Sequence, residues 1–368
     1  MKDNKVLQVR YKNEPVGRLA LNNTGKAAFQ YDKKWLKNGF PISPFSLPLK
    51  EDVFVPSTYN FNGLFGVFDD SLPDSWGRLV LDRMLKNNGI NPAEISVLDR
   101  LAIVGASGMG ALEYLPEYRL PNSDTSLSID ELAEESRKLL ECKDCSKINE
   151  LFKGCGSSGG ARPKALIKID GEDWIVKFHY SLDGDDSGIT EYGYSLAAKK
   201  CGINMPETRL LPSENSPGYF AVKRFDRPKK HMISAAALLE IDFERSLTDY
   251  SDLFKLTNIV TNGNKEDLKD LFRRMSFNVW AENQDDHLKN FAYLYDDIPG
   301  IWRLSPAYDL THQISGYGEH TTTINGKGKD ITDADLIAVG IKAGLAKDFC
   351  KAANDAIKSI CKELVNYD

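Results

Sequence analysis

Asp285 and Asn290 lie in the segment Asn283-Gln-Asp285-Asp286-His287-Leu-Lys289-Asn290, and Tyr308-Asp309 follows after one hairpin's length of sequence. Phosphoryl transfer of the kinase kind requires such a set. One carboxylate orients the attacking hydroxyl, and an amide and a second carboxylate hold Mg²⁺ against the phosphates of ATP. Asp-x-x-x-x-Asn alone is common and constrains little. Its weight comes from the rest of the chain, which supplies the other parts of a phosphoryl-transfer site in the expected order.

The first of those parts is the glycine-dense loop Gly154-Cys-Gly156-Ser157-Ser158-Gly159-Gly160-Ala161-Arg162-Pro163-Lys164. It runs into predicted strands Ala165–Ile169 and Trp174–Phe178, separated by a turn at Asp170-Gly171. Glycines let backbone N–H groups close on phosphate oxygens, although a flexible hairpin connection is the plainer reading of the loop by itself. It is not a Walker A loop, because Lys164 is followed by Ala165 and a strand rather than by Ser/Thr and a helix. Lys177 lies inside the second strand among apolar neighbours, where an ammonium is costly to desolvate unless it meets an anion. A lysine that snorkels to the surface is the alternative. Glu191, in the first turn of a helix predicted over Thr190–Lys200, is its natural ionic partner, but an acid in a first turn is also ordinary dipole chemistry.

Strands Glu207–Leu211 and Tyr219–Phe225 come next. Lys223-Arg224-Phe225-Asp226-Arg227 then lies where a two-lobed chain would cross between lobes, and where backbone groups usually bind an adenine edge. A helix over Glu266–Glu282, with Leu268, Leu271, Phe272, Met275 and Val279 on one face, delivers the chain to the acidic loop. Phe291–Tyr295 and Ile301–Leu304 form the hairpin that ends at Tyr308-Asp309. His287 could serve as a metal ligand, a base, or a structural or phosphate-facing group.

Upstream, Val6–Tyr11, Val16–Leu21 and Ala27–Tyr31 read as strands, the first two joined by a turn at Asn13-Glu-Pro15. A helix starts near Pro73-Asp-Ser-Trp76, with proline in its first turn, and stops at Asn88-Gly89. Gly105-Ala-Ser-Gly108-Met-Gly110 imitates a dinucleotide loop, but it runs through Leu112–Leu115 into Pro116 rather than a helix, so it reads as a turn. Ser128-Ile-Asp-Glu131 is a capping box opening a polar helix to about Glu141. The stretch from Thr332 to Val365 is mostly helical.

The chain has 368 residues and a formal charge of −6, which argues against broad electrostatic binding to nucleic acid. No run nears the roughly eighteen apolar residues of a membrane span, and no signal-peptide core opens the chain. The six cysteines fit a reduced, cytoplasmic protein; Cys142-Lys-Asp-Cys145 lacks the second pair that a zinc site needs.

This order of motifs resembles the HipA family of bacterial serine/threonine kinase toxins, and the resemblance runs through nearly the whole chain. Phe61–Phe68 with Asp70-Ser-Leu-Pro-Asp-Ser-Trp-Gly-Arg78 is similar to that family's N-terminal domain. Gly159-Gly-Ala-Arg-Pro-Lys164, Lys177, Arg224-Phe-Asp-Arg227, Asp285-Asp-His-Leu-Lys-Asn290 and Tyr308-Asp309 are similar to its kinase core. The resemblance implies an α+β, two-lobed kinase-like fold with an N-terminal β-rich accessory domain. Expected divisions are an N-terminal domain over 1–118, a linker and capped helix over 119–145, an N-lobe over 146–225 and a mostly helical C-lobe over 226–368.

It further implies Asp285 as catalytic aspartate, Asn290 and Asp309 as the Mg²⁺ pair, and Ser157 as a regulatory loop serine, with Ser158 competing for that position. ATP would be bound by Gly159, Gly160, Ala161, Arg162, Pro163, Lys164, Lys177, Lys223, Arg224, Phe225, His287, Lys289, Asn290, Tyr308 and Asp309. Implied partners are a protein substrate, with aminoacyl-tRNA synthetases among the family's targets, and a small helix-turn-helix antitoxin through which alone DNA would be reached. No membrane is implied. The rival readings are a small-molecule kinase and a catalytically silent nucleotide-binding corepressor.

Overall fold

Lys12 and Asn13 both adopt left-handed backbone, with φ of 47° and 69°. That is the geometry of a tight two-residue hairpin, and it reverses the chain between β1 (Val6–Tyr11) and β2 (Glu14–Leu21). The turn thus falls earlier than Asn13-Glu-Pro15, and Pro15 is carried inside β2. In this computed structural model, residues 6–118, 127–143, 145, 147–155, 160–179, 186–243 and 247–365 are described. β3 (Ala27–Tyr31), β4 (Val53–Phe54) and β5 (Leu112–Leu115) complete an antiparallel sheet of order β4-β3-β2-β1-β5. Leu7, Val9, Leu19 and Phe29 are fully buried at its core.

A second sheet has the order β6-β7-β9-β8, from β6 (Lys164–Ile169), β7 (Glu172–Lys177), β8 (Thr208–Leu211) and β9 (Tyr219–Lys223). Asp170 and Gly171, with φ of 53° and 81°, make its first hairpin turn. One face carries Ala165, Trp174, Val176 and Ala221 into a core shared with Trp76, Val80 and Met84 of the helix Ser75–Asn87. Helices Ile129–Leu140 and Ile148–Cys155 add Leu132, Leu139 and Leu151 to it. The first begins with the expected capping box, in which Ser128 accepts from the Glu131 N–H and Glu131 accepts from the Ser128 N–H. Asp74 takes the N-cap position of the helix Ser75–Asn87, so Pro73 precedes the helix instead of sitting in its first turn.

Contacts divide the chain into two compact units. One comprises Met1–Gly188, Leu210–Ile233 and Ala237–Glu240, the other Ile189–Arg209, Ser234–Ala236 and Ile241–Asp368. The second is mostly helical: Tyr250–Val260, Lys265–Trp280, Asp333–Lys342 and Lys347–Val365, with the hairpin Ala292–Asp296 and Ile301–Leu304 between them. A helix over Ser187–Lys200 starts a few residues before Thr190, so Glu191 falls beyond the first turn and is buried.

Candidate active site

In the first unit, Lys164 and Lys177 are direct partners across the β6–β7 ladder, so their side chains leave the same face of the sheet. Lys177 is the last residue of its strand rather than an interior one, and its ammonium lies 5.7 Å from the centre of the Phe220 ring. Leu166, Ile175 and Val222 share that face and are only half buried, in contrast to the packed face behind them. The face therefore carries apolar surface with Lys177 at one end, beside the buried Lys164.

Gly160 lies beside the Lys164 ammonium: a Cβ there would come within 2.6 Å of Nζ. Its φ of +88° is a second reason for glycine. The loop's base is held by residues far upstream. The Gly160 N–H donates to the Asp74 carboxylate (2.7 Å), and the Trp76 indole N–H donates to the Lys164 carbonyl (3.2 Å). Asp74 and Trp76 thus position a residue of the glycine-dense loop, a role that sequence reasoning did not find because the contact spans more than eighty residues. Ala161, Arg162 and Pro163 carry the chain from Gly160 into β6, and the Pro163 carbonyl accepts from the Phe178 N–H (2.9 Å). Ser157, Ser158 and Gly159 lie outside the described residues.

Arg224 is buried. Its guanidinium forks onto Asp226 (2.9 and 2.7 Å), and Arg227 joins the same carboxylate (2.6 Å). Burial alone would raise the Asp226 carboxyl; the two guanidiniums outweigh it and hold it below the usual carboxylate range. Asp226 also accepts from the Gly110 N–H (2.8 Å), and Arg227 donates to the Gly108 and Gly110 carbonyls. The Arg224-Phe-Asp-Arg227 motif thus clasps the turn that imitates a dinucleotide loop. The Arg224 backbone N–H donates to the Asp173 carbonyl, and Lys223 pairs with Glu172. Phe225 lies two residues beyond the end of β9.

In the second unit, the helix Lys265–Trp280 releases the chain into the acidic loop, whose end is a short 3-10 turn at Leu288–Asn290. Asp285 and Asp286 face opposite environments. The Asp285 side chain is 57% exposed. Asp286 is buried, accepting from the Tyr250 hydroxyl (3.0 Å), His320 Nδ1 (2.9 Å) and the Thr322 N–H (3.1 Å). Burial and the Asp286 charge push the Tyr250 phenol well above its usual range, so it remains a donor.

Asn290 donates its amide nitrogen to the Asp285 carbonyl (2.7 Å), which leaves the amide oxygen as the atom available to a cation. Two further bonds bring Tyr308-Asp309 to this loop: Asn283 Nδ2 to the Asp309 carbonyl (3.3 Å), and the Tyr308 hydroxyl to the Lys289 carbonyl (2.7 Å). Asp309 has φ of 54°, a left-handed conformation uncommon outside glycine that clusters at functional sites. Upstream, buried Arg274 pairs with Asp270 and donates to the Ser305 carbonyl, which steadies the approach to Asp309. His287 Nε2 is 3.7 Å from Asp285 Oδ1, and its ring packs against Phe243 at 4.5 Å, with the Lys289 ammonium 5.8 Å from the centre of the Phe243 ring.

Among the described residues, no group of three or more His, Cys, Asp and Glu could hold a metal ion. Mg²⁺ fits the set all the same. It keeps much of its water and is usually held by one or two carboxylates plus substrate phosphates rather than by an all-protein cage. Asp309 and Asn290 supply oxygens of that kind.

Sheet order, helices and this arrangement of loop and hairpin define an α+β protein of the HipA-like fold. Residues 156–366 match the HipA-like C-terminal domain and residues 7–115 match the HipA N-terminal domain, so the chain belongs to the HipA family. The protein "Putative kinase Y4mE" of Sinorhizobium fredii is 26% identical, covering 98% of this chain and 89% of that protein. "Putative kinase Y4dM" of the same organism is 26% identical over 87% of this chain and 80% of its own length. Among solved structures, HipA of the Shewanella oneidensis toxin–antitoxin system, in complex with HipB and operator DNA, superposes with a TM-score of 0.73. It is 19% identical, with 98% of this chain and 91% of that one covered. No described helix is long and apolar enough to cross a membrane.

Proposed function

We propose that this chain is an ATP- and Mg²⁺-dependent serine/threonine protein kinase, acting in the cytoplasm as the toxin of a toxin–antitoxin pair. The observation that carries the reading is the joining of Tyr308-Asp309 to the Asn283–Asn290 loop, with the Asn290 amide turned onto the Asp285 carbonyl. Three groups suited to phosphoryl transfer are thereby held by one short network.

Asp285, exposed on this loop, would orient the hydroxyl of the acceptor and take its proton late, so that positioning counts for more than basicity. Asn290 and Asp309 would hold Mg²⁺, which would supply positive charge to neutralise the charge on the transferred group. Lys164, Lys177 and the backbone about Gly160 would meet the phosphates, and the half-buried face of Leu166, Ile175 and Val222 the base. Asp309→Ala is expected to weaken ATP binding strongly with Mg²⁺ present and only slightly without it. Calorimetry with and without the metal separates this from a folding defect, which would lower both equally.

The proposed partners are a translation-related substrate such as an aminoacyl-tRNA synthetase and a helix-turn-helix antitoxin. Support for the latter is the HipB and operator DNA in the Shewanella complex. Ser157, or Ser158 beside it, is the proposed autophosphorylation site. A phosphate there adds roughly −1.5 to −2 charges and would compete for the donors that hold ATP. Expression of the chain without its partner is expected to arrest growth, and Asp285→Asn to relieve the arrest. Growth counts on inducing plates check this; harmless wild-type expression in the native host lacking the partner gene would defeat the toxin role.

A further inference from the structure

Cys201 and Cys361 come from opposite ends of the second unit's sequence, yet they share one core with their thiols within hydrogen-bonding reach. Cys201 follows the helix Ser187–Lys200, and Cys361 lies on the helix Lys347–Val365. Both belong to one small core with Phe277, Ala281, Ala307 and Leu310. That core reaches both segments of the candidate site: Ala281 stands two residues before Asn283, and Ala307 and Leu310 flank Tyr308-Asp309. Cys361 also lines a cavity of about 560 Å³, whose walls include Glu282 and Gln284 of the loop's approach and His320, the partner of Asp286.

We propose that Cys201 and Cys361 are a reversible oxidative modification site, closing to a disulfide when the protein meets a peroxide. The thiolate of one cysteine of the pair attacks one peroxide oxygen; the O–O bond breaks, and with one proton a water leaves that cysteine as the sulfenic acid. The partner sulfur then attacks it. The S–S bond forms, the S–O bond breaks, and the departing hydroxide takes the partner thiol's proton as a second water. Two thiols are oxidised and one peroxide is reduced to two waters.

The contact between the two thiols lowers Cys201, while the same contact and burial push Cys361 up. The cavity against Cys361 gives a small oxidant room next to the pair. A disulfide brings the sulfurs to about 2.05 Å, closer than any hydrogen-bonded contact between them. The helix ends must therefore draw together within the core that supports the loop.

The test is peptide mapping of the full chain after hydrogen peroxide and thiol blocking, together with amide hydrogen exchange. A Cys201–Cys361 linked peptide is expected, reversed by dithiothreitol, with the 283–290 and 307–310 segments exchanging faster in the oxidised form. Cys201→Ser should abolish both changes, and the independent Cys361→Ala should do the same. If exposed Cys142 is oxidised while no linked peptide forms, or if the linked protein exchanges as the reduced one does, the proposal is overturned. These readouts do not depend on catalysis. Where the kinase reading also holds, oxidation should lower phosphate transfer by about 10²-fold, the scale of a misplacement near 1 Å.

Discussion

Asp285→Asn is expected to leave nucleotide affinity nearly unchanged and to reduce phosphate transfer by about 10²-fold or more, the usual scale for loss of a positioned acid–base group. The substitution keeps the shape of the side chain and removes its charge. It leaves the Asp285 backbone carbonyl, which is what Asn290 uses, in place. Because the side chain is 57% exposed, stability should scarcely change. Calorimetric ATP titration and a transfer assay on the same preparation check both halves. Equal loss of binding and transfer would move Asp285 from a reacting role to a nucleotide-holding one.

The neighbouring acid is expected to behave in the opposite way. Asp286→Ala should cost about 3–5 kcal/mol of stability, because it strips a buried carboxylate from its partners. It would leave the Tyr250 hydroxyl, His320 Nδ1 and the Thr322 N–H without that acceptor, all in a region closed to water. Thermal unfolding should then fall by roughly 10 °C. Asp286→Asn, which keeps a carbonyl oxygen in place, should lose less. A melting temperature unchanged in the alanine variant would mean that the Asp286 network does not hold the loop.

These adjacent residues show where sequence reading stops. The spacing Asp-x-x-x-x-Asn and the later aspartate are legible as the groups that a phosphoryl-transfer site would need, in that order. Nothing local sorts Asp285 from Asp286. Their burial is decided by Tyr250, His320 and Thr322, each more than thirty residues away. The same holds for Asp74 and Trp76, whose grip on Gly160 and the Lys164 carbonyl reaches across the chain from the start of the helix Ser75–Asn87.

Local rules did well where the deciding atoms are local. The Ser128 box, the Asp170-Gly171 turn and the strand Ile301–Leu304 stand where composition places them. They failed at ends set by pairing. β9 stops at Lys223 rather than Phe225, where its pairing with Trp174 of β7 ends. β7 ends at Lys177, where its register with Lys164 runs out.

The most direct test of the central claim is transfer of the terminal phosphate. Purified wild-type chain and Asp285→Asn would each be incubated with ATP labelled at the γ position and Mg²⁺, alone and with a lysate of the native host. Radioactivity in protein would be resolved by gel, and the modified residue identified by mass spectrometry. The account predicts label on serine or threonine with the wild type and only background with Asp285→Asn or without Mg²⁺. Equal label from both proteins, or none from a folded wild type that binds ATP, would contradict it.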